Sequence, residues 1–130
     1  MTIFEKIIAG EIPAYKVAES EKFLAFLDIF PLKKGHTLVI PKKPVDYIFD
    51  LEDDLLSELN IFAKMVAKGM EQVIECERIG VAVIGLEVPH THIHLIPINN
   101  VADLNFANPK LKFAEAEMEQ IAGQISEAIA

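Results

Sequence analysis

The sequence contains a single cysteine, Cys76, and no tryptophan. One cysteine excludes an internal disulfide framework and fits a chain that works in a reducing compartment. No apolar run is long enough to span a bilayer, and charges interrupt the apolar residues of the N-terminal segment MTIFEKIIAGEIP. These absences predict a cytoplasmic protein with no membrane partner.

Basic residues are also scarce. Twelve lysines and arginines stand against twenty aspartates and glutamates, which gives a formal charge of -8. Such a charge opposes the phosphate neutralisation on which non-specific nucleic-acid binding depends, so we exclude DNA and RNA as partners. A small phosphorylated ligand stays compatible with this charge, because a local cluster of donors can hold an anion.

The length and the apolar content favour one folded domain over residues 1–130. Hydrophobic residues make up 52% of the chain, well above the content of segments that remain disordered. Thr2 and Glu5 form a capping-box pattern that predicts a short N-terminal helix. Apolar residues at steps of three and four predict a long helix over 55–73 and a C-terminal helix over 118–129.

Five apolar runs bounded by turn residues predict about five strands: AYKVAES, KFLAFLDIF, HTLVIPKK, RIGVAVIG and HTHIHLIPI. Their short connections favour mostly antiparallel pairing, so the sequence predicts an α+β fold with the helices over one face of the sheet. Gly69 inside the long helix weakens that helix, which indicates close packing against a partner such as a second helix.

The segment VPHTHIHLIPI, residues 88–98, holds three of the four histidines at alternate positions. Side chains alternate between the faces of a strand, so His90, His92 and His94 are predicted to share one face while the intervening residues face the core. We expect the histidine face to border water or a cleft, because imidazoles without partners are costly to bury.

Three interpretations of this run remain open. The first is a polar strand face. The second is a metal site, but His90 and His94 are roughly 13 Å apart on an extended strand, too far for one ion. Two of these histidines could bind a metal with His36, although no carboxylate or thiolate beside the run completes the set. The third is catalysis, with His92 as nucleophile and its neighbours orienting it or donating protons.

The run His90-Thr91-His92-Ile93-His94-Leu95-Ile96 resembles the signature of the histidine triad (HIT) family, with threonine at the first intervening position. The segments TIFEKIIAGEIPA and FLDIFPLKKGHTLVIPKK and the long helix are similar in order and spacing to its nucleotide-binding Hint branch. The resemblance covers roughly residues 2–97 and implies a HIT-like sheet with a long central helix. Residues 99–130 form a C-terminal extension unlike the usual Hint tail.

This resemblance implies hydrolysis or transfer at the α-phosphorus of a nucleoside 5′-phosphate derivative, typically a purine nucleoside phosphoramidate. It implies a covalent nucleotidyl-histidine intermediate on His92, with His36, His90 and His94 completing the site. It further implies a homodimer, and it calls for no cofactor and no metal.

Matching positions assign six further residues to the nucleotide. Asp28 would bond the ribose hydroxyls, and Ile29 would pack beside the sugar. The base pocket would be lined by Ile3, Phe4, Ile7 and Phe26. An apolar slot suits a base and a carboxylate accepts from paired hydroxyls. The alternative is that the apolar residues are ordinary core and that Asp28 is a turn-forming or solvated acid.

The turn before the first histidine departs from the Hint pattern, which usually carries polar residues there. Leu86 cannot donate a hydrogen bond, and an ionised Glu87 close to a phosphate would repel it. Glu87 could instead serve as an acid on the leaving-group side. Two alternatives to an enzyme therefore stay open: a nucleotide-binding module with little turnover, and a histidine-based metal-binding protein.

Overall fold

The computed structural model describes residues 1–130 and contains three α-helices, five strands and two 3-10 helices. The α-helices are α1 (Ile3–Ile8), α2 (Asp53–Val73) and α3 (Glu115–Ile129). The strands are β1 (Lys16–Glu19), β2 (Phe23–Leu27), β3 (Thr37–Pro41), β4 (Arg78–Ala82) and β5 (Ile93–Ile98). The 3-10 helices are Ile48–Asp50 and Val101–Asp103. No helix combines the length and the apolar character needed to cross a membrane.

All five strands form one sheet in the order β1-β2-β3-β5-β4, and every neighbouring pair is antiparallel. The α+β fold predicted from the sequence is confirmed. Strand β5 lies between β3 and β4, so the histidine run reaches the interior of the sheet. Strand β4 occupies one edge and β1 the other.

Helices α2 and α3 cover one face of the sheet and share its main core. Leu59 and Met70 of α2 and Ile125 of α3 are fully buried against sheet residues such as Val39 and Leu95. These helical residues recur at the spacing that places them on one face of each helix. Burial of that face, rather than helix propensity alone, stabilises both helices.

Gly69 marks the closest approach between these two helices. A Cβ atom at Gly69 would lie 2.5 Å from Cγ1 of Ile129 and 3.4 Å from the carbonyl oxygen of Ile125. The close partner expected from the sequence is therefore α3 of the same chain. Gly69 thus has an intramolecular explanation and gives no support to an interface between subunits.

Helix α1 covers the opposite face, so the prediction that the helices cover only one face is wrong. It starts with the predicted capping box, in which Thr2 and Glu5 exchange two hydrogen bonds of 3.1 Å. Its buried side chains and their sheet partners form a second core cluster of Phe4, Ile7, Leu24, Phe26, Leu38 and Ile40. Strands β2 and β3 are buried at every position, and a sheet with two apolar faces needs cover on both.

Candidate functional site

The four histidines lie together, and all of them are buried. Their exposed fractions are 1% for His36, 0% for His90, 6% for His92 and 8% for His94. Of the two predicted surroundings, water or a cleft, open exposure to water is excluded for most of each ring. Burial is tolerated because each ring has at least one hydrogen-bond partner, and most of those partners are main-chain groups.

Strand β5 begins later than the sequence predicted, at Ile93, so only His94 belongs to the strand itself. The preceding residues are held by the segment that follows β3. The amide and the hydroxyl of Thr91 donate to the carbonyl of Val45, and the hydroxyl also approaches the carbonyl of Asp46. The rings nevertheless follow one another along the same side, with the centroids of His92 and His94 4.9 Å apart.

Asp28 and His36 meet because they flank the ends of β2 and β3. The last paired residues of those strands are Leu27 and Thr37, and the amide of Asp28 then donates to the carbonyl of His36. Leu38 pairs with His94 on β5, which brings His36 and His94 into diagonal contact on one face of the sheet. Three distant segments therefore converge at this point.

A chain of hydrogen bonds fixes the protons of His36 and His94. The amide of Leu32 donates to Nδ1 of His36 at 3.0 Å, so the proton of the neutral His36 ring is on Nε2. That Nε2 lies 3.0 Å from Nδ1 of His94 and donates to it. The remaining proton of His94 is therefore on Nε2.

Both rings of this pair are neutral near pH 7. Burial, followed by the positive charge of Lys110, lowers the pKa of His36 to about 4. Burial and the neighbouring rings of His36 and His92 lower the pKa of His94 to about 3, against the opposite influence of Asp28. The contact of 3.6 Å between Asp28 and His36 is therefore a contact between a carboxylate and a neutral ring.

His92 carries its proton on the other nitrogen. Its Nδ1 lies 2.7 Å from the carbonyl oxygen of His90, which can only accept, so the Nε2 of the neutral ring has a free lone pair. Neither Nε2 of His92 nor Nε2 of His94 has a hydrogen-bond partner in the protein. Nδ1 of His90 is the one side-chain atom that is both fully buried and without a partner, so these two Nε2 atoms are accessible at the surface. A nucleophilic nitrogen thus stands beside an N–H donor.

His90 is fully buried, and its carbonyl oxygen holds the ring of His92 in place. Its Nε2 donates to the carbonyl oxygen of Pro41 at 2.7 Å, and its own carbonyl accepts from His92. The ring of Phe4 packs edge-on against His90 and His92, with centroid distances of 5.9 and 5.0 Å. Helix α1 therefore contacts the reactive end of the histidine run directly.

The residues assigned to the nucleotide fall into three groups by burial. Phe4, Ile7 and Phe26 are buried in the core cluster under α1, as ordinary core residues would be. Ile3 is 48% exposed and Ile29 is 55% exposed, so neither is a core residue. Asp28 is half-buried and caps a turn, since its carboxylate accepts from the amide of Phe30 at 2.8 Å.

Leu86 and Glu87 lie in the turn between β4 and the histidine run. Leu86 is 89% exposed, and Glu87 is exposed without a hydrogen bond or an ion pair. Glu87 therefore forms neither a hydrogen bond nor an ion pair with a histidine. The main chain turns at Gly85, whose φ of 76° lies in the left-handed region that glycine favours.

Asp28, His36 and His94 are the residues that could hold a metal, since their ligand atoms lie within 4.8 Å of one another. The carboxylate that the histidine run lacked in sequence thus comes from the end of β2. A cation there would need the lone pair on Nε2 of His36, the atom that carries the proton. Binding would require His36 to move that proton to Nδ1 and to lose its bond to Leu32.

One contact to the histidines was not foreseen from the sequence. The ring of Phe106, in the segment between β5 and α3, packs against His94 at 4.8 Å and His36 at 6.4 Å. No local pattern marks Phe106, because it lies in an irregular segment and meets its partners only after the chain turns back. The one available signal was its aromatic ring, the only one in the segment NNVADLNFANPK.

The chain matches the family model described as HIT domain over residues 9–101. It is 46% identical over 104 residues to an uncharacterised HIT-like protein of Methanocaldococcus jannaschii, covering 75% of this chain and 78% of the relative. It is 35% identical over 130 residues to an adenosine 5′-monophosphoramidase of Schizosaccharomyces pombe, covering 98% and 97% of the two chains. A crystal structure of a HIT-like protein from Bartonella henselae superposes with a TM-score of 0.85 at 30% identity, covering 98% and 95%.

Proposed function

The chain belongs to the HIT domain family, and from this membership we propose that it is a nucleotide hydrolase or transferase acting on nucleoside 5′-phosphoramidates. His92 is the nucleophile. The observation that carries the proposal is the pair of opposite tautomers, with a free lone pair on Nε2 of His92 beside the N–H of His94. A phosphoryl transfer through nitrogen needs that lone pair.

In the first step, Nε2 of His92 attacks the α-phosphorus and the bond from phosphorus to the leaving amine breaks. The amine departs with the bonding electron pair and takes a proton from water. A phosphorus–nitrogen bond to His92 forms, and the Nδ1–H of the resulting imidazolium still donates to the carbonyl oxygen of His90. This hydrogen bond strengthens as positive charge develops on the ring.

In the second step, water attacks the same phosphorus and gives one proton to the hydroxide left from the first step. The bond to Nε2 of His92 breaks, which releases the nucleoside monophosphate and the neutral ring. His94 donates its Nε2 proton in a hydrogen bond to a phosphoryl oxygen in both steps and remains neutral, as its low pKa requires. A fixed donor aimed at developing negative charge stabilises the transition state.

The nucleotide lies across the exposed ends of this pair. Asp28 accepts from the ribose hydroxyls, while Ile3 and Ile29 at the rim and Phe4 below them contact the base and sugar. Support comes from the partial exposure of Ile3 and Ile29, and from the contact of Phe4 with the nucleophile. A planar purine gains from aromatic packing of this kind.

A trapping experiment tests the mechanism. The protein is mixed with adenosine 5′-phosphoramidate, quenched in base and digested, and we expect an adenylyl mass on the peptide that contains His92, located there by fragmentation. His92→Asn should give no adduct and lower turnover by about a thousandfold or more, while a thermal melt reports whether it folds. Hydrolysis by a folded His92→Asn variant at the parent rate contradicts the covalent mechanism.

A binding module with little turnover is the second candidate. It is favoured by the turn at residues 85–89, where exposed Leu86 and Glu87 offer no hydrogen-bond donor to a leaving group. Calorimetry with AMP beside turnover assays separates the two functions. Micromolar binding without hydrolysis of any nucleoside phosphoramidate supports the module and contradicts the enzyme.

We also propose that the chain forms a homodimer through the β4 edge. Strand β4 is an edge strand, and unpaired edges present a row of free amides and carbonyls. The strand and the segment that follows it carry exposed apolar side chains, with Val81 59%, Ile84 48% and Leu86 89% exposed. Pairing of two such edges about a two-fold axis covers both features at once.

A further inference from the structure

The segment 99–114, here called the site loop, contacts the pair His36 and His94 through Phe106, whereas α1 contacts His90 and His92. The ring of Phe106 meets the ring of His94 edge-on, with centroids 4.8 Å apart and an interplanar angle of 72°. It meets His36 at 6.4 Å and 75°. Phe106 is half-buried, so one part of the ring is covered by the two histidines and the rest faces solvent.

The site loop is tied down at its start. Asp103 accepts from the amides of Asn99 and Asn100 at 2.8 and 3.1 Å. Its second oxygen pairs with Lys33 of the β2–β3 turn at 3.0 Å, and the Asp103 side chain is only 13% exposed. The loop is thus anchored to the same turn that carries His36.

The loop is also held at its far end. The amide of Leu111 donates to the carbonyl of Pro31 at 2.8 Å, a second bond to the β2–β3 turn. The ammonium of Lys110 donates to the carbonyls of Phe106 and Asn108, which fixes the main chain beneath the aromatic ring. Lys110 forms no ion pair, so its charge is not neutralised by a carboxylate. Phe106 therefore lies on a segment that hydrogen bonds hold at several points.

We propose that Phe106 is a positioning residue of the reaction centre, holding the ring of His94 in the orientation that presents its Nε2 proton to substrate. This proposal depends on the proposed function, which supplies the substrate that His94 contacts. Phe106 touches no reacting atom itself and acts through His94. Lys110 assists by fixing the main chain of Phe106.

The geometry around His94 explains why such a residue is needed. His94 has one hydrogen-bond partner, His36, and a single bond at Nδ1 leaves the ring free to tilt about that contact. The rings of His92 and Phe106 both pack against the His94 ring, with centroids 4.9 and 4.8 Å away, and each limits its tilt. Without Phe106 the donor nitrogen can swing, and a displacement of about 1 Å costs up to about a hundredfold in rate.

Lys110 acts on the same pair through its charge. A positive charge close to His36 disfavours a second positive charge on the buried pair, and it contributes to the lowered pKa of His36. The neutral His36 can donate only from Nε2, which keeps the proton of His94 on the outer nitrogen. The loop therefore limits the tilt of the His94 ring and, through Lys110, favours the neutral form of His36.

The experiment compares Phe106→Ala with Phe106→Tyr, which keeps the ring, and with Phe49→Ala, an equivalent change at an aromatic residue that is 72% exposed on a different element. We expect Phe106→Ala to lower kcat by about tenfold or more with little change in KM, because the base and ribose contacts lie elsewhere. Phe106→Tyr should recover most of the rate, and Phe49→Ala should behave as the parent.

A measurement without turnover keeps this inference separate from the proposed function. Imidazole nitrogen spectra of the parent should show His94 protonated only at Nε2, and Phe106→Ala should show both tautomers or a shifted Nε2 signal. If the parent hydrolyses no phosphoramidate, the proposed function fails while these spectra still decide the role of Phe106. Unchanged His94 signals in a folded Phe106→Ala variant, together with unchanged kcat where there is turnover, overturn the positioning role.

Discussion

Nδ1 of His92 lies 2.7 Å from the carbonyl oxygen of His90, two residues earlier in the chain. The carbonyl can only accept, so this contact assigns the proton to Nδ1 and the lone pair to Nε2. The neighbouring His94 has the opposite arrangement, because it accepts at Nδ1 from His36. Two adjacent rings therefore differ in which nitrogen is protonated.

We expect nitrogen-15 spectra of the imidazoles above neutral pH to show this difference directly. His92 should give a protonated Nδ1 and a bare Nε2, and His94 should give the reverse. Each ring serves as the internal control for the other, since both are measured in one sample. Equal sharing of the proton in either ring contradicts the assignment.

Removing the ionisable ring of His36 should flatten the dependence of stability on pH. Burial lowers the pKa of His36 from 6.5 to about 4, so between these values the unfolded chain binds a proton that the folded chain refuses. The stability is fully present above pH 6.5 and falls as the pH drops towards 4. The loss from this one ring is on the order of 3 kcal/mol.

The measurement is urea unfolding of the parent and of His36→Gln, whose side chain stays uncharged. The rest of the chain is the same in both proteins, so the difference between the two curves reports His36 together with its effect on His94. We expect the parent to lose more stability than the variant on acidification. Parallel curves over this range would falsify the origin assigned to the shift.

Asp28→Asn should reduce discrimination between ribose and deoxyribose. The parent should bind AMP about tenfold more tightly than 2′-deoxy-AMP, since a carboxylate accepting from a hydroxyl contributes roughly 1.5–3 kcal/mol. Asparagine can still accept from the amide of Phe30, so the turn is preserved. Calorimetry with both nucleotides checks this, and an equal preference in parent and variant removes Asp28 from the ribose site.

Two glycine substitutions in helices should have opposite effects. Gly123→Ala in α3 meets nothing within 4 Å and should stabilise the protein by about 1 kcal/mol through helix propensity. Gly69→Ala in α2 gains the same propensity, but its Cβ would lie 2.5 Å from Cγ1 of Ile129. We expect Gly69→Ala to be neutral or destabilising in urea unfolding. Equal stabilisation by both substitutions would mean that α3 shifts at this contact without lowering the free energy of unfolding.

Val81→Lys should dissociate the proposed dimer, because an extended charged side chain on an edge strand opposes pairing. Light scattering of the parent should give twice the chain mass of 14.5 kDa, and the variant should give the single mass. Phe49→Lys, at an exposed hydrophobic residue on a different element, is the matched control and should remain dimeric. A monomeric parent at working concentrations contradicts the dimer.

Local patterns predicted most of the fold. The long helix and the C-terminal helix followed from apolar residues at helical spacing, and the first helix followed from Thr2 and Glu5. The prediction that the helices cover one face of the sheet was wrong, although the sequence contained evidence against it. Residues of FLAFL and TLVIP are apolar or small at nearly every position, which indicates strands buried on both sides.

The site was predictable in its residues but less so in its environment. The structure brings His36, His90, His92 and His94 into contact with one another. Their burial was not foreseen, because the partners that make it tolerable are the amide of Leu32 and the carbonyl of Pro41. Neither is a side chain, so neither appears in a sequence pattern. Phe106 was missed for a related reason, since its contact depends on the path of an irregular segment.

The groups that place the protons on these rings are an N–H at position 32 and C=O groups at positions 41 and 90. Nearly every amino acid supplies them, so the side chains at 32 and 41 can drift through evolution without erasing the proton pattern. The exception is proline at position 32, which has no N–H to give. The positions of the protons on these rings therefore depend on the path of the backbone, and no pattern of side chains in the sequence reveals them.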